Sequence, residues 1–74
     1  MIFPNKETVE RVRSQYPQDT RVELVSMSDP YTKLKPGDKG TVDFVDDTAT
    51  VFVSWDNGST LGAVYGEDVI RRLP

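Results

Sequence analysis

The chain has 74 residues, with nine Lys and Arg against 12 Asp and Glu, no His, no Cys and a formal net charge of -3. A chain this short makes one domain and buries only about 60% of the surface its unfolded form exposes, which leaves no volume for a deep substrate cleft. Without Cys and His there are no disulfides, no thiolate chemistry, no usual zinc ligands and no usual general base, and no run of about 18 apolar residues offers a membrane span.

Asn5 to Tyr16 has the pattern of a helix. Asn5 is a capping residue, Val9, Val12 and Tyr16 recur at i, i+3 and i+7, and Pro17 stops the run. Glu7 and Arg11 stand in the favourable i,i+4 order, and Arg13 sits where the C-terminal dipole favours a cation. About three turns are marginal alone, so the stripe is expected to dock on β-structure, with Phe3 packing at its start.

Arg21 to Met27 alternates as a first strand, with Val22 and Leu24 on one face and Arg21, Glu23 and Val25 on the other. A long polar connection follows. Asp29-Pro30 starts a turn, and Pro36-Gly37 fits the two central positions of a type II turn, which asks for proline's fixed φ and then a positive φ. Gly40 opens a second strand in which Val42 and Phe44 are expected to point one way, and Asp43 and Val45 the other.

Thr50 to Trp55 is a third strand, and Asp56-Asn57-Gly58-Ser59 turns it into a run that reaches Tyr65. Two closures are open. A two-residue Asn-Gly turn pairs Trp55 with Thr60, whereas a three-residue loop with Gly58 left-handed in a bulge pairs Trp55 with Ser59. The second is preferred, because it gathers Val51, Val53, Trp55, Leu61, Ala63 and Tyr65 on one face, where the first leaves that face half polar. Glu67-Asp68 has the look of a single helical turn, and Val69 to Leu73 of a short last strand.

An N-terminal helical segment over residues 1–18, then about five short strands over 19–74 with a long first loop, is the order of a small SH3-like antiparallel barrel carrying an N-terminal helix. Charge is unevenly spread. From Gly40 to Ile70 there are six acids (Asp43, Asp46, Asp47, Asp56, Glu67, Asp68) and no Lys or Arg, while Lys33, Lys35 and Lys39 gather in one loop and Arg71 and Arg72 lie near the C-terminus. An acidic hairpin region repels phosphate backbones, and the lysine loop attracts them.

Phe3-Pro4-Asn5-Lys6-Glu7-Thr8-Val9-Glu10-Arg11, Tyr16-Pro17, Arg21-Val22-Glu23-Leu24, Asp29-Pro30-Tyr31, Gly40-Thr41-Val42 and Trp55-Asp56-Asn57-Gly58-Ser59 together resemble the family designated domain of unknown function 4314. The resemblance runs over nearly the whole chain. It implies an origin on phages or integrative elements of bacteria, and it brings no established activity and no functional residues. A looser similarity covers Pro36 to Ser59, where Gly37, Gly40, Val42, Val51, Val53 and Trp55-Asp56-Asn57-Gly58 resemble the framework of KOW-type barrel modules, some of which bind RNA, ribosomal or transcription proteins. This chain departs from them in having no basic residue along Gly40 to Ser59.

The candidate contact residues for a protein or peptide partner are Tyr31, Trp55, Asp56 and Tyr65. A loop aromatic and strand-end aromatics on a rigid barrel offer apolar faces with a polar tip, and Asp56 adds acidic character. Each has a competing structural role: Tyr31 as a loop anchor, Trp55 and Tyr65 as core, and Asp56 as turn chemistry. The alternative is a nucleic-acid accessory using Lys33, Lys35, Lys39, Arg71 and Arg72, whose binding would weaken steeply with salt. No stacking platform with interleaved basic residues is present.

No catalytic set is expected. Ser and Thr have no His base, no Gly-rich phosphate loop precedes a helix, and no carboxylate pair can be placed across a cleft. Asp46, Asp47 and Asp56 lack EF-hand spacing, so neither a metal nor another cofactor is expected. The N-terminus lacks the basic-then-apolar layout of a signal peptide, and the expectation is a cytoplasmic, non-membrane binding module.

Overall fold

The computed structural model describes residues 4–29 and 31–74. One helix, α1 (Lys6–Gln15), precedes five strands: β1 (Arg21–Ser26), β2 (Lys39–Val45), β3 (Val51–Trp55), β4 (Gly62–Ala63) and β5 (Val69–Arg72). The expected packing of Phe3 and the Pro30 half of the Asp29-Pro30 turn lie outside the described residues.

α1 begins where its cap is. The Asn5 side chain accepts from the Thr8 N–H at 2.8 Å, and the helix ends at Tyr16, whose N–H reaches the Val12 carbonyl, just before Pro17. Val9 and Val12 are buried and Tyr16 packs partly buried beside them, so the narrow stripe docks as expected. Arg11 does not pair with Glu7; its guanidinium lies 3.5 Å from the Tyr65 hydroxyl. Arg13 stands in the last turn of α1 as expected, and its side chain reaches outward to donate to the Val45 carbonyl at 3.1 Å and to Asp47 at 2.8 Å, which ties α1 to the β2–β3 connection.

The strands form one antiparallel sheet in the order β4-β3-β2-β1-β5. Its two edges are not hydrogen-bonded to each other, so the sheet is not closed. The cause is local to β4. The Val64 N–H donates to the Asp68 carboxylate at 2.8 Å, the Val64 carbonyl accepts from the Glu67 and Asp68 N–H groups, and Gly66 turns the chain at φ +83°. The run expected to reach Tyr65 therefore stops at Ala63, and the expected helical turn at Glu67-Asp68 is a tight turn over Val64 to Asp68. α1 reaches both sides of the opening, through Arg11 to the Tyr65 hydroxyl just past β4 and through the Tyr16 hydroxyl, 3.4 Å from the Ile70 carbonyl in β5.

Val22, Leu24, Val42 and Val53 are the largest fully buried side chains, with Val51, Trp55, Ala63 and Leu34 around them. Each such Val or Leu contributes about 1.5–3 kcal/mol of burial, against a net stability of about 4–11 kcal/mol for a domain of this length. β1 alternates as expected from Arg21 to Val25, and its register against β5 then shifts between Leu24 and Ser26, where the strand ends short of Met27. β2 does not alternate as expected: Val42 pairs with Val53 but Phe44 pairs with Phe52, so one surplus residue sits between them in a β-bulge. The bulge reverses the expected faces, turning Phe44 outward at 55% exposure and Val45 into the core.

Two hairpin loops share one construction. At Trp55 to Ser59, the Gly58 N–H donates to the Trp55 carbonyl at 2.9 Å, the Trp55 N–H donates to the Ser59 carbonyl at 2.8 Å, and Gly58 is left-handed at φ +94°. This is the preferred three-residue loop. At Asp46 to Thr50 the same two bonds recur at 3.1 Å each, with buried Ala49 in the left-handed position at φ +62°. Asp46 supports that costlier conformation by accepting three bonds at one carboxylate oxygen, from the Thr48 N–H, the Thr48 hydroxyl and the Thr50 N–H. In the long loop, the Asp38 N–H reaches the Lys35 carbonyl at 3.1 Å with Gly37 at φ +97°, which is the Pro36-Gly37 type II turn.

Candidate functional site

The opening between β4 and β5 makes an apolar groove of about 280 Å³ against α1, with Val12, Tyr16, Val51, Ala63 and Ile70 on its floor and walls. Val64, Tyr65 and Val69 stand exposed around it. Its volume falls just below the range of about 300–1,000 Å³ typical of small-molecule pockets, so it suits one or two apolar side chains better than a whole cofactor.

The backbone at the opening is oriented by the ladder on either side. Trp55 bonds to Ser59, and in an antiparallel pair the bonding residues alternate, so Ala63 faces β3 while Gly62 directs its N–H and C=O to the free edge. On β5 the Leu73 N–H bonds to the Arg21 carbonyl, so by the same alternation Ile70 and Arg72 face the opening. Two unpaired edges thus flank an apolar hollow.

The turn joining those edges is held by Asp68. One carboxylate oxygen accepts from the Ser28 N–H at 2.9 Å and the Ser28 hydroxyl at 3.2 Å, and the other accepts from the Val64 N–H at 2.8 Å. Asp68 therefore fixes the groove's rim to the start of the long loop.

Compared with family models, the chain matches the one described as Domain of unknown function (DUF4314) over residues 5–73. It belongs to that family. No curated protein matches it. The match takes in α1 and all five strands, so the groove is built entirely from residues of the DUF4314 domain.

The DUF4314 fold separates the four aromatic and acidic candidates. Trp55 is core, 3% exposed, with its indole N–H donating to the Leu61 carbonyl at 2.8 Å. Tyr31 is 94% exposed in the long loop, where its N–H donates to the Asp29 side chain. Tyr65 is 47% exposed and lines the groove, with its hydroxyl toward Arg11. Asp56 is gripped by Arg21 through two bonds of 2.8 and 2.7 Å. That bond from Arg21 holds the Asp56 carboxyl below its ordinary range against a smaller desolvation effect, with the charges of Arg21 and Lys39 adding to it; the same contact raises the Arg21 guanidinium.

The other acids of the hairpin region also have local duties. For Asp46 desolvation pushes the pKa up, but the bonds from Thr48 and Thr50 and the charge of Arg13 together outweigh it and leave the carboxyl below its ordinary range. Asp43 accepts from the Ser54 hydroxyl at 2.7 Å, and Asp47 pairs with Arg13.

The basic candidates are dispersed. Arg71 donates to Glu23 at 2.9 Å across the β1–β5 pair, and Lys39 lies opposite Glu23 in the β1–β2 register. Lys33 lines a separate shallow hollow with Asp29, Thr32 and the Asn57 to Ser59 tip. Lys35 and Arg72 are exposed. No group of three or more Asp and Glu that could hold a metal ion occurs among the described residues, and no helix there is long and apolar enough to cross a membrane.

Three features of the surface escaped sequence reasoning. Val64 and Val69 flank Tyr65 at the groove, and Phe44 stacks on Phe52 on the outer sheet face, with centroids 4.7 Å apart and planes 16° from parallel. Gly62 lies beneath the Phe52 ring, where a Cβ would stand 3.2 Å from it. The bulge that exposes Phe44 has no local signature, but the Tyr65 and Val69 placement follows once Gly66 is read as the turn.

Proposed function

We propose that this DUF4314 domain is a non-catalytic binding module that takes an extended peptide segment of another protein along the seam between β4 and β5. The supporting observation is the groove itself: an apolar hollow lined by Val12, Val51, Ala63 and Ile70, with exposed Tyr65, Val64 and Val69 at its rim and, beside it, the backbone groups of Gly62 and Arg72 and the Ile70 N–H directed to the opening, the Ile70 carbonyl being held by the Tyr16 hydroxyl. In this reading the framework is SH3-like, with its seam left open. A guest strand supplies main-chain hydrogen bonds to one edge, and alternate apolar side chains enter the hollow. The net charge of -3 favours guests of neutral or basic character. Tyr65 is the sequence candidate that this site retains; Tyr31 is a separate exposed loop contact, and Trp55 supports the site from the core.

The nucleic-acid reading has less support, since Arg71 is paired and Lys39 sits between Glu23 and Asp56. Selection of peptides from a displayed random library, followed by amide-resonance mapping, tests the proposal. Selected peptides are expected to shift Gly62, Tyr65, Val69 and Ile70. Tyr65→Ala and Val69→Lys should weaken binding about tenfold or more while leaving the melting temperature nearly unchanged, as expected for exposed anchors. Shifts confined to Lys33, Lys35 and Arg72, or salt-sensitive oligonucleotide binding without peptide binding, would refute it.

A further inference from the structure

We propose that Asn57-Gly58 is a site of slow covalent modification, deamidation to aspartate or isoaspartate, and that the hairpin's own hydrogen bonds restrain the reaction. Both residues are exposed at the loop tip, and the space where a Gly58 Cβ would stand has no other atom within 4 Å. Asn is a thermolabile residue, and a following Gly leaves the attacking nitrogen unshielded.

The reaction balances with water as its only co-reactant. The Gly58 backbone nitrogen loses its proton to base and attacks the side-chain carbonyl carbon of Asn57. The bond from that carbon to the amide nitrogen breaks, and ammonia leaves. Water then opens the five-membered imide at either carbonyl, giving aspartate or isoaspartate with no change in oxidation state.

In the folded hairpin both reacting groups are engaged. The Gly58 N–H donates to the Trp55 carbonyl at 2.9 Å, which holds the proton that must be lost. The Asn57 side-chain oxygen accepts from the Ser59 N–H at 2.9 Å, which holds the carboxamide in one orientation. The loop is further clamped by the Trp55 indole on the Leu61 carbonyl and by Arg21 on Asp56. Reaction requires the loop to open, so its rate measures that opening.

The product alters the surface. A new carboxylate beside Asp56 faces the hollow that holds Lys33 and Asp29, and isoaspartate adds a methylene to the main chain of a three-residue loop whose Trp55–Ser59 pairing has no slack. Asn5, the only other Asn, is an internal control, because it is followed by Lys6 and its side chain caps α1.

The test is incubation of the purified chain at mildly alkaline pH, with peptide mapping by mass spectrometry and enzymatic detection of isoaspartate. Conversion is expected at Asn57 ahead of Asn5, about tenfold or more slower in the native chain than in urea. Trp55→Phe, which removes one clamp and leaves the Asn-Gly pair intact, should speed it about three- to tenfold. Arg21→Ala should speed it too, and as an exposed position it keeps the test decisive where Trp55→Phe unfolds the chain. Asn57→Gln should abolish the mass change. Equal native and unfolded rates, or no acceleration in Arg21→Ala, would overturn the restraint; no conversion in urea, or conversion at Asn5 first, would overturn the site.

Discussion

Gly40→Ala probes a close approach of β2 to β3. Gly40 is buried in β2 directly opposite Trp55, and a Cβ placed there would stand 2.5 Å from Val53 Cγ1, 2.9 Å from the Ser54 carbonyl oxygen and 3.0 Å from Trp55 Cα. Two of those three neighbours are β3 backbone, fixed by its ladder to β4 and β2. No rotamer change can make room, so the strands must part. Overpacking of this kind costs about 1–3 kcal/mol, while replacing Gly by Ala returns about 0.4–1 kcal/mol by restricting the unfolded chain. The positive-φ glycines are Gly37, Gly58 and Gly66, so Gly40 has no backbone strain whose change would enter the balance. The expected net loss is about 1.3 kcal/mol. For a domain of this size that corresponds to a melting temperature lowered by about 5–10 °C and a urea midpoint lowered by about 0.4–1.3 M. Urea titration followed by Trp55 fluorescence and far-ultraviolet circular dichroism measures it. Gly37→Ala is the control: at φ +97° with nothing within 4 Å of its Cβ, it meets conformational strain alone, about 1 kcal/mol. A Gly40→Ala loss smaller than that of Gly37→Ala would refute the Gly40–Trp55 register.

Asp68→Ala should cost about 1–2 kcal/mol and speed amide exchange at Ser28 and Val64 specifically, because those N–H groups lose their acceptor; unchanged exchange at both would show that the carboxylate does not hold the groove's rim. Ala49→Gly should be close to neutral in thermal melts, within about 1 kcal/mol: relief of the left-handed strain is offset by a lost buried methyl and a freer unfolded chain. Asp46 and Asp56 have folded pKa values below the ordinary 3.8, so the stability they contribute is complete above that value and is lost as pH falls through the folded values. The melting temperature should be level from neutrality to about pH 5 and fall below pH 4, with Asp56→Asn flattening part of that fall in pH-dependent calorimetry.

Local chemistry was legible in the sequence wherever a residue type announces its own backbone. Asn5 before the 3.6-period stripe, Pro36-Gly37, and Gly58 after Asp56-Asn57 each specify a conformation that few other residues favour, and all three stand as expected. The first hairpin loop was silent, because Ala49 fills a position normally marked by Gly and the support comes from the side chain of Asp46. The reversal of Phe44 and Val45 was equally hidden, since a bulge is decided by how two strands meet and neither strand's alternation records it. The groove was out of reach for the same reason. It depends on β4 stopping at Ala63, which follows from Asp68 and Gly66 acting together on Val64. Tyr65 is legible as a candidate groove wall because it is an aromatic at the end of an expected strand, although its alternation with Leu61 and Ala63 points to the core; Val64 and Val69 acquire meaning only from their neighbours in space.

The surplus residue in β2 gives this strand an asymmetric response to changes in length. Excising Asp43 would leave Val42 inward, Phe44 outward and Val45 inward, a regular alternation that keeps every apolar side chain on its present side. Shortening β3 by one residue at Ser54 would instead throw Trp55 to the solvent side or drag the hairpin loop out of step. A lineage can therefore gain or shed a codon at position 43 while its counterpart across the ladder stays frozen in length, and that is where natural length variants of this domain should cluster.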